Sequence, residues 1–311
     1  MSLICPHCQR RYRPGHDRCS ADDTTLVADP MVGRVLGGRE IREFVGGGAM
    51  GMVFKAYYPP LDRFEAVKLM HARLAQMNRS AVDRFHREAR IVANLRNPHV
   101  VQVYDTGADE DGHLFICMEL IKGEPLSDVI ERLGCLSPAR VVRLMTQVCD
   151  ALAEAHDRGV VHRDLKPDNL ILETDRHGED VLRVLDFGIA HDAEALQKTE
   201  TGVQIGTPVY MAPEQVRGDH DAVNGRTDIY ALGVIAYTML TGDNPFLGRG
   251  LLDVLQKQLS FNPPRVDSVM PAVSPAFAAL IAQMMAKPPA ERPADMDAVR
   301  AALRALHETD E

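Results

Sequence analysis

A polar stretch near the middle of the chain places a candidate base, a cation and a candidate metal ligand within eight residues. It reads His-Arg-Asp-Leu-Lys-Pro-Asp-Asn over residues 162–169, and it is followed by Asp186, Phe187 and Gly188. Asp164 can accept a proton from an attacking hydroxyl or orient it, and Lys166 can neutralise charge that grows on a transferred phosphoryl group. Asn169 and Asp186 offer the oxygen ligands that Mg²⁺ prefers. Each residue alone is typical of a solvated loop, but their order and spacing indicate phosphoryl transfer.

The elements that must position these side chains are signalled locally. Apolar runs at 160–161 and 170–172 flank the polar stretch, so we expect a loop between two short strands. Ser137, followed by proline, is a helix N-cap signal that predicts a helix to Arg158. Residues 227–240 are apolar nearly all round, which predicts a buried central helix.

A glycine-rich segment precedes this region. Residues 46–53 (Gly-Gly-Gly-Ala-Met-Gly-Met-Val) fit the pattern G-x-G-x-x-G-x-V, which alone is a weak signal. Residues 53–58 favour a strand, and the prolines at 59–60 end it, so the glycines lie in a hairpin between two strands. Such a backbone can close over phosphates and donate N–H groups to them. The alternative is a plain hairpin turn.

A lysine and a glutamate complete the candidate site. Lys68 lies in a strand-like apolar run, and Ser80 with Asp83 resembles a capping box that opens a helix through about Leu95. Glu88 falls on the apolar face of that helix. A carboxylate entering a core needs a cationic partner, and Lys68 is the best candidate. The alternative is a glutamate at the edge of the face, in water.

These motifs together resemble one family. The glycine-rich loop is followed in order by Ala66-Val67-Lys68, His162-Arg163-Asp164, Asp186-Phe187-Gly188 and Ala212-Pro213-Glu214. With them the chain resembles a protein kinase, most of all the bacterial, eukaryotic-like (Hanks-type) serine/threonine group. The resemblance covers about residues 39–307. It implies an α+β, bilobal fold with a β-rich N-lobe over 39–120, which holds one helix, and a mainly helical C-lobe over 121–307.

The resemblance also implies roles for individual residues. Asp164 matches the catalytic base, Lys68 the phosphate-binding lysine and Glu88 its helix partner, while Asn169 and Asp186 match the Mg²⁺ ligands. Met118 would be the gatekeeper before the hinge. The residues implied to surround ATP are Val45, Gly46, Gly48, Gly51, Val53, Ala66, Lys68, Met118, Glu119, Ile121 and Ile171. Two structural roles are implied as well: Asp228 would anchor the catalytic loop or cap its helix, and Glu214 would pair with Arg292.

The substrate class follows from the same resemblance. Lys166-Pro167 is similar to the serine/threonine kinases, and residues 206–214 agree with that choice, with Thr207 near the catalytic loop. Thr199 and Thr201 are spaced from Thr207 as in the doubly phosphorylated loop of bacterial kinases. We expect autophosphorylation there to order the loop, with Arg163 as a cation for the phosphate. The alternative is an unmodified loop.

Cysteines near the start of the chain form a separate pattern. Cys5 and Cys8 make a C-x-x-C knuckle, and Cys19 would complete a zinc ribbon if Asp22 took the place of a fourth cysteine. His7 and His16 are other candidate fourth ligands. We expect a metal-held segment over residues 1–27, for protein contact or placement, then a linker over 28–38. The alternative is a disordered, reduced tail.

Composition and charge bear on which other classes of protein this chain could belong to. The chain has 311 residues and a net charge of −9, so nothing suggests a nucleic-acid binder. Its longest apolar run, 229–240, is too short to span a bilayer, and the start of the chain has no secretory signal pattern. We therefore expect a cytoplasmic kinase that uses ATP and Mg²⁺, acts on protein substrates and takes its input from a soluble regulatory partner.

Two other functional classes share parts of this motif pattern with active protein kinases. A pseudokinase or signalling scaffold would be marked by the loss of Lys68, Asp164 or Asp186, and all three are present. A small-molecule phosphotransferase of the same fold would usually lack the segment Ala212-Pro213-Glu214, which is present too.

Overall fold

The structure, a computed structural model, describes residues 2–48, 51–70, 79–187 and 208–309. These residues fold into two compact units. The first holds the described residues up to Asn94 together with Gln102–Ile121, and the second holds Leu95–Val101 and the described residues from Lys122 onward. Among the helices of these ranges, none has both the length and the apolar character needed to cross a bilayer.

The first unit begins with a small antiparallel sheet, which we call the ribbon (residues 2–28). Its strands are β1 (Leu3–Ile4), β2 (Arg11–Tyr12) and β3 (Val27–Ala28), in the spatial order β2-β1-β3. Its apolar core is a cluster of four buried side chains, Cys5, Tyr12, Cys19 and Leu26. A core of this size cannot support a fold alone, so the ribbon needs a metal or a packed neighbour.

A six-stranded antiparallel sheet forms the body of the first unit. Its strands are β4 (Val35–Leu36), β5 (Arg39–Gly48), β6 (Gly51–Tyr58), β7 (Arg63–Met70), β8 (Val103–Ala108) and β9 (Leu114–Glu119). They lie in the order β4-β5-β6-β7-β9-β8. One helix of this unit is described, α1 (Arg79–Ala93), which begins and ends within two residues of the prediction. The side chain of Ser80, its predicted cap, lies outside the described residues.

The strand register shows which residues lie on each face of this sheet. Val53 lies opposite Lys68, and Ala66, two residues before Lys68, lies opposite Met118. Because side chains alternate along a strand, these four share one face. The intervening residues point to the other face, where a buried apolar core contains Met31, Leu36, Ile41, Phe54, Ala56, Val67, Leu69, Phe115 and Cys117.

The segment over 28–38, expected to be a linker, is part of this folded unit. Val35 and Leu36 pair with Glu40 and Arg39, respectively, and Met31 and Leu36 are buried in the core of the sheet. Gly37 and Gly38, at the turn between β4 and β5, have φ values of 53° and 77°. Two positive φ angles are what a two-residue type I′ hairpin turn requires. The linker expectation is therefore wrong, because the glycines mark a hairpin rather than a flexible connection.

The second unit is mainly helical, with one small sheet. Its helices are α2 (Leu126–Leu133), α3 (Pro138–Asp157), α4 (Pro213–Arg217), α5 (Gly225–Thr241), α6 (Leu251–Ser260), α7 (Val266–Val269), α8 (Pro275–Met284) and α9 (Met296–Thr309). The sheet consists of β10 (Glu124–Pro125), β11 (Leu170–Thr174) and β12 (Asp180–Val184), in that spatial order.

Capping signals explain the bounds of the two central helices. The Ser137 side chain accepts a hydrogen bond from the Arg140 N–H, and proline occupies the first helical position of α3, as predicted. Helix α5 begins at Gly225, two residues before the apolar run, because the Asn224 side chain accepts from the Arg226 N–H. The buried residues of α5 run from Thr227 to Leu240 without a break, which confirms a central helix.

The folded state of segment 28–38 predicts different effects for two neighbouring truncations. Leu36→Ala should lower the free energy of unfolding by about 2–5 kcal/mol, because it leaves a cavity in the sheet core. Val35→Ala is the matched control, since Val35 is 64% exposed and Leu36 only 2%. Urea unfolding of both variants checks this. Equal, small effects would contradict the packing of β4 and restore the linker interpretation.

Candidate active site

The catalytic loop of the second unit gathers three of the predicted side chains. The Lys166 ammonium lies 2.8 Å from Oδ2 of Asp164, whose side chain is largely buried. Asn169 Nδ2 donates to the Asp164 carbonyl at 2.7 Å and to Asp164 Oδ2 at 3.3 Å. The sequence prediction that these residues act together therefore agrees with their geometry. The carboxylate is held in place by a cation on one side and an amide on the other.

A buried carboxylate fixes the backbone that carries Asp164. Asp228, 1% exposed on α5, accepts hydrogen bonds from the N–H groups of His162 and Arg163 at 2.8 and 2.9 Å. His156 Nε2 lies 2.8 Å from the same carboxylate. Arg163 has a φ of 63°, a left-handed conformation that costs energy in a non-glycine residue. Asp228 therefore stabilises a strained turn directly before the candidate base.

The charge state of Asp228 suits this role. Burial favours the neutral acid, but the hydrogen bond and charge interaction with His156 outweigh it and hold the pKa of the Asp228 carboxyl below its usual value. An ionised carboxylate accepts hydrogen bonds at both oxygens and donates none. The backbone N–H groups of His162 and Arg163 require such an acceptor.

Asp186 is brought to the same loop by two hydrogen bonds of Leu185, the residue before it. The Leu185 N–H donates to the Asn169 carbonyl at 2.8 Å, and His162 Nε2 donates to the Leu185 carbonyl at 2.8 Å. The Phe187 ring, fully buried, lies 5.1 Å from the His162 ring. Asp186 is the residue between these two contacts, and its own φ is 53°.

The donor set at this point fits a magnesium ion. Both side-chain hydrogen bonds of Asn169 are made by Nδ2, so its Oδ1 is the atom that would meet a metal. With the Asp186 carboxylate it offers a neutral and an anionic oxygen, and Mg²⁺ takes oxygen ligands while keeping several waters and substrate oxygens. Bound there, Mg²⁺ would neutralise charge on nucleotide phosphates.

Four of the nucleotide-binding residues predicted in the first unit share one face of its sheet. They are Val53, Ala66, Lys68 and Met118, of which the last three are buried. Glu119 and Ile121 follow at the end of β9, half-buried. Ile171, predicted for the same pocket, lies half-buried on β11 of the second unit.

The glycine-rich hairpin has the predicted strand-turn-strand form. Gly46 pairs with Val53 and Gly48 with Gly51, on β5 and β6. Gly51 has a φ of 159°, and a Cβ there would lie 2.3 Å from the Leu69 carbonyl oxygen, so no other residue fits. Val45 lies at a register shift just before Gly46. Residues 49 and 50 at the tip are outside the described residues.

Lys68 and Glu88 both lie in the first unit. Lys68 is 7% exposed on β7, as few lysines are. Glu88 is half-buried on α1, between the buried Phe85 and Val92, on the apolar face that the periodicity predicts. A direct Lys68–Glu88 ion pair stays a prediction of the sequence.

Comparison with known proteins identifies the family of this chain. The sequence profile described as the protein kinase domain matches residues 39–303. The chain belongs to the protein kinase family.

Individual relatives agree with the kinase assignment. The chain is 42% identical over 260 residues to the serine/threonine-protein kinase Pkn1 of Myxococcus xanthus, which covers 83% of this chain and 36% of that protein. It is 40% identical over 247 residues to the serine/threonine-protein kinase pkn3 of the same organism. That match covers 77% of this chain and 44% of pkn3. The chain thus spans less than half the length of these two relatives.

A solved structure supports the fold of the kinase. The crystal structure of the Mycobacterium tuberculosis PknI kinase domain has a TM-score of 0.69 to this chain at 27% identity, covering 88% of this chain and 98% of that one. The predicted kinase fold, with a β-sheet N-lobe and a helical C-lobe, is therefore confirmed.

The predicted pair of Glu214 and Arg292 in the kinase is also confirmed. Arg292 donates from both terminal nitrogens to the two Glu214 oxygens at 2.8 and 2.9 Å, and both side chains are buried. The Thr227 hydroxyl adds a third hydrogen bond to Glu214 at 2.8 Å. Burial alone would raise the pKa of Glu214, but these partners outweigh it and lower the pKa below its usual value. The next residue, Gln215, donates to the Arg163 carbonyl at 2.7 Å.

The four predicted zinc ligands of the ribbon lie together. The sulfurs of Cys8 and Cys19 are 3.5 Å apart, and the Cys5 sulfur lies 3.6 Å from both Asp22 oxygens. A tetrahedral zinc with ordinary bond lengths would place two sulfurs about 3.8 Å apart and a sulfur and an oxygen about 3.5 Å apart. Single ligand atoms from all four residues lie within 4.8 Å of one another. The spacing therefore suits one tetrahedral ion.

Asp22 occupies the place in its turn that Cys8 occupies in the first one. The N–H of Cys5 bonds to the Arg10 carbonyl, and the N–H of Cys19 bonds in the same way to Thr24. The residues after Cys8 and Asp22 also match: both donate back to the first cysteine of their turn, and both have positive φ, 61° at Gln9 and 56° at Asp23. Two equivalent knuckles therefore present three sulfurs and one carboxylate.

The two histidines weighed as fourth ligands have other positions. His7 Nδ1 lies 2.8 Å from an Asp22 oxygen, so it can orient that carboxylate. His16 packs its ring 5.6 Å from the Tyr12 ring and is not part of the group. The Tyr12 hydroxyl donates to the Cys19 sulfur at 3.2 Å. Burial raises the pKa of that thiol, but this bond, together with hydrogen bonds from the Ala21 N–H and from Cys8, lowers it overall.

Two groups of residues remain. The first was predicted but lies outside the described part of the chain, and the second contributes to the sites but was not predicted from the sequence. Gly188, Thr199, Thr201 and Thr207 belong to the first group. His156, Gln215, Arg11 and Arg13 belong to the second. Their contacts join positions far apart in sequence, and nothing in the local pattern around them signals those contacts.

The buried Glu214–Arg292 pair predicts a large, pH-dependent effect on stability. Glu214→Gln should cost about 3–5 kcal/mol at pH 7, because it leaves the Arg292 charge buried and unpaired. The folded pKa of Glu214 is depressed, so the pair stabilises above the unfolded pKa, and its contribution fades as pH falls below about 4.5. Chemical unfolding at pH 7 and pH 4 should show the difference from wild type narrowing in acid.

An exposed ion pair provides the control for this measurement. Asp267→Asn breaks the surface pair with Arg265 and should change the free energy of unfolding only slightly, because solvent screens this pair. A Glu214→Gln effect as small as that of the control would show that the buried pair does not hold this region.

Proposed function

We propose that this protein is an ATP- and Mg²⁺-dependent protein kinase that transfers the γ-phosphoryl group of ATP to serine or threonine hydroxyls of proteins. The observation that carries the proposal is the catalytic loop. It holds Asp164 between Lys166 and Asn169 on a backbone fixed by Asp228. The relatives named as serine/threonine-protein kinases support the reaction class.

Asp164 is the residue that receives the substrate hydroxyl in this proposal. Lys166 and Asn169 both contact its Oδ2, so Oδ1 is the oxygen that can face the incoming group. It orients the hydroxyl and accepts its proton as the new O–P bond forms. The Lys166 ammonium lies close enough to neutralise charge on the transferred group.

The remaining side chains hold the nucleotide. Asn169 and Asp186 supply oxygen ligands for Mg²⁺, and Lys68 binds phosphate oxygens with Glu88 as its partner. The glycines of the β5–β6 hairpin donate backbone N–H groups to the phosphates. The buried apolar residues beside Lys68, Ala66 and Met118 among them, give the adenine an apolar surface. Positioning and charge neutralisation, rather than a covalent intermediate, lower the barrier.

Substrate choice and regulation rest on the sequence. Lys166-Pro167 and residues 206–214 favour serine and threonine, and Thr207 is proposed to form a hydrogen bond near Asp164 and Lys166. Thr199 and Thr201 are the proposed sites of activating autophosphorylation, and the Arg163 guanidinium is the proposed cation for the phosphate. We further propose a cytoplasmic enzyme that responds to a soluble regulatory partner.

Replacement of the candidate base tests the reaction. Asp164→Asn should lower kcat for phosphate transfer about a hundredfold or more, because an amide cannot accept the hydroxyl proton. MgADP affinity should stay near the wild-type value. The assay follows label from ATP into protein, with calorimetry for binding.

The control for this test is Asp157→Asn, an exposed aspartate at the end of α3. It should retain wild-type transfer. If Asp164→Asn transferred phosphate as fast as this control, Asp164 would not be the base. If the wild type bound MgADP but labelled no protein, the scaffold interpretation would replace the kinase proposal.

We also propose that Cys5, Cys8, Cys19 and Asp22 hold one structural zinc ion. Three sulfurs and a carboxylate at tetrahedral spacing suit zinc, and the four-residue core of the ribbon is too small to fold unaided. His7 would be the residue that orients the Asp22 carboxylate around the metal.

Metal analysis of the purified chain tests the zinc proposal. Wild type, supplied with zinc and then dialysed, should carry one equivalent, and Cys8→Ser should carry little. Cys135→Ser is the control, since Cys135 is an exposed cysteine of the second unit. Asp22→Cys should keep the zinc, because a thiolate is an equally good ligand there. Wild type without zinc, or zinc retained by Cys8→Ser as by the control, would refute the site.

A further inference from the structure

The ribbon contacts the main sheet at the base of the glycine-rich hairpin. The Ser2 hydroxyl, fully buried, accepts a hydrogen bond from the Phe44 N–H at 2.7 Å. Arg13 donates from Nε and Nη2 to the Val45 carbonyl, Nε at 2.8 Å. Phe44 and Val45 are the two residues directly before Gly46. The ribbon therefore holds the strand that leads into the phosphate-binding turn.

The point of contact is an irregularity in the sheet. Pairing of β5 with β6 shifts register between Phe44 and Gly46, which makes Val45 the additional residue of a bulge. A bulge interrupts the ladder of backbone hydrogen bonds and bends its strand. The Arg13 guanidinium supplies donors to a carbonyl at this place, so it can set the angle at which the hairpin leaves the sheet.

A second arginine contacts the other strand of the same hairpin. The Arg11 guanidinium lies 5.8 Å from the Phe54 ring centroid and also contacts the Met52 sulfur, both on β6. Its Nε donates to Asp29 at 2.7 Å, and that carboxylate is fully buried. The two arginines thus contact both strands that flank the glycines.

Strand alternation connects these arginines to the candidate zinc site. Tyr12 lies between them, and side chains on a strand point alternately to opposite faces. The Tyr12 hydroxyl donates to the Cys19 sulfur and its ring lies in the ribbon core, while Arg11 and Arg13 reach the hairpin. A change in the metal knuckles would therefore displace β2, which carries Arg11 and leads directly into Arg13.

We propose that Arg11 and Arg13 are positioning residues for the glycine-rich hairpin, and that the zinc-folded ribbon thereby raises the affinity of the kinase for its nucleotide. The proposal rests on the nucleotide and zinc sites proposed above. It assigns the ribbon a regulatory task inside the same chain: a kinase that has lost its zinc binds MgATP less tightly, although its catalytic loop is unchanged.

The test uses the full chain with MgADP as the probe. Arg13→Ala should weaken MgADP binding and raise KM for ATP about fivefold, the lower end of ordinary coupling between sites, with kcat within about twofold of wild type. Arg13→Lys, which keeps one charged donor, should recover part of the loss. Arg18→Ala is the control, since Arg18 is an exposed ribbon arginine that pairs with Asp23. Because Arg13 is exposed, its truncation leaves the core packed.

Two further variants separate coupling from a loss of folding. Cys8→Ser should weaken MgADP binding at least as much as Arg13→Ala, since it releases both arginines, and the double variant should be no weaker than Cys8→Ser, because Arg13 acts through the same folded ribbon. Binding by Arg13→Ala within twofold of the control would overturn the proposal. So would a fall in kcat together with a lower melting temperature, which would show a merely structural role.

Linkage gives an independent readout. If the ribbon raises nucleotide affinity, saturating MgADP must raise the zinc affinity of the wild type by the same factor. Competition with a zinc-selective chelator, with and without MgADP, measures this, and equal zinc affinities would overturn the coupling. Failure of the earlier proposals remains distinguishable. A wild type without transfer still reports MgADP binding, and a wild type without zinc still allows the Arg13 comparison.

Discussion

The buried carboxylate of Asp228 is the interaction on which the catalytic loop depends. Removing such a charge from water costs several kcal/mol, which only good partners can offset. Here the partners are two consecutive backbone N–H groups and His156. The second of these N–H groups belongs to Arg163, where the chain takes its left-handed conformation and turns toward Asp164. The cost of burying the charge therefore fixes the turn that presents Asp164.

The same loop receives constraints from the segment after Pro213. Gln215 binds the Arg163 carbonyl, while its neighbour Glu214 is held by Arg292 in a fully buried pair. Both peptide groups around Arg163 are thus fixed from different helices, α5 and α4. A base held in this way loses little freedom when a substrate arrives, and such preorganisation is how a kinase that forms no covalent enzyme intermediate lowers its barrier.

What the sequence predicts well is local, and what it misses is long-range. The Ser137-Pro138 cap, the glycine hairpin and the apolar face of α1 follow from neighbouring residues. The turn at Gly37 and Gly38 looked like a linker, because the same glycines serve both structures and only the burial of Leu36 decides between them. The bonds of Arg13 to Val45 and of His156 to Asp228 join residues 32 and 72 positions apart, which no local pattern encodes.

The core of the first unit shows why the ribbon and the hairpin should act together. Met31 and Leu36, which follow the ribbon in sequence, pack on the sheet face opposite Lys68. Phe54, the β6 residue that Arg11 contacts, lies in the same buried core. Close-packed protein interiors have low compressibility and transmit a displacement to neighbouring residues. A ribbon that unfolds would remove the donors at the Val45 bulge and loosen the packing behind it. The backbone over the phosphates would then have to be ordered by the nucleotide itself, and that ordering cost would appear as weaker binding.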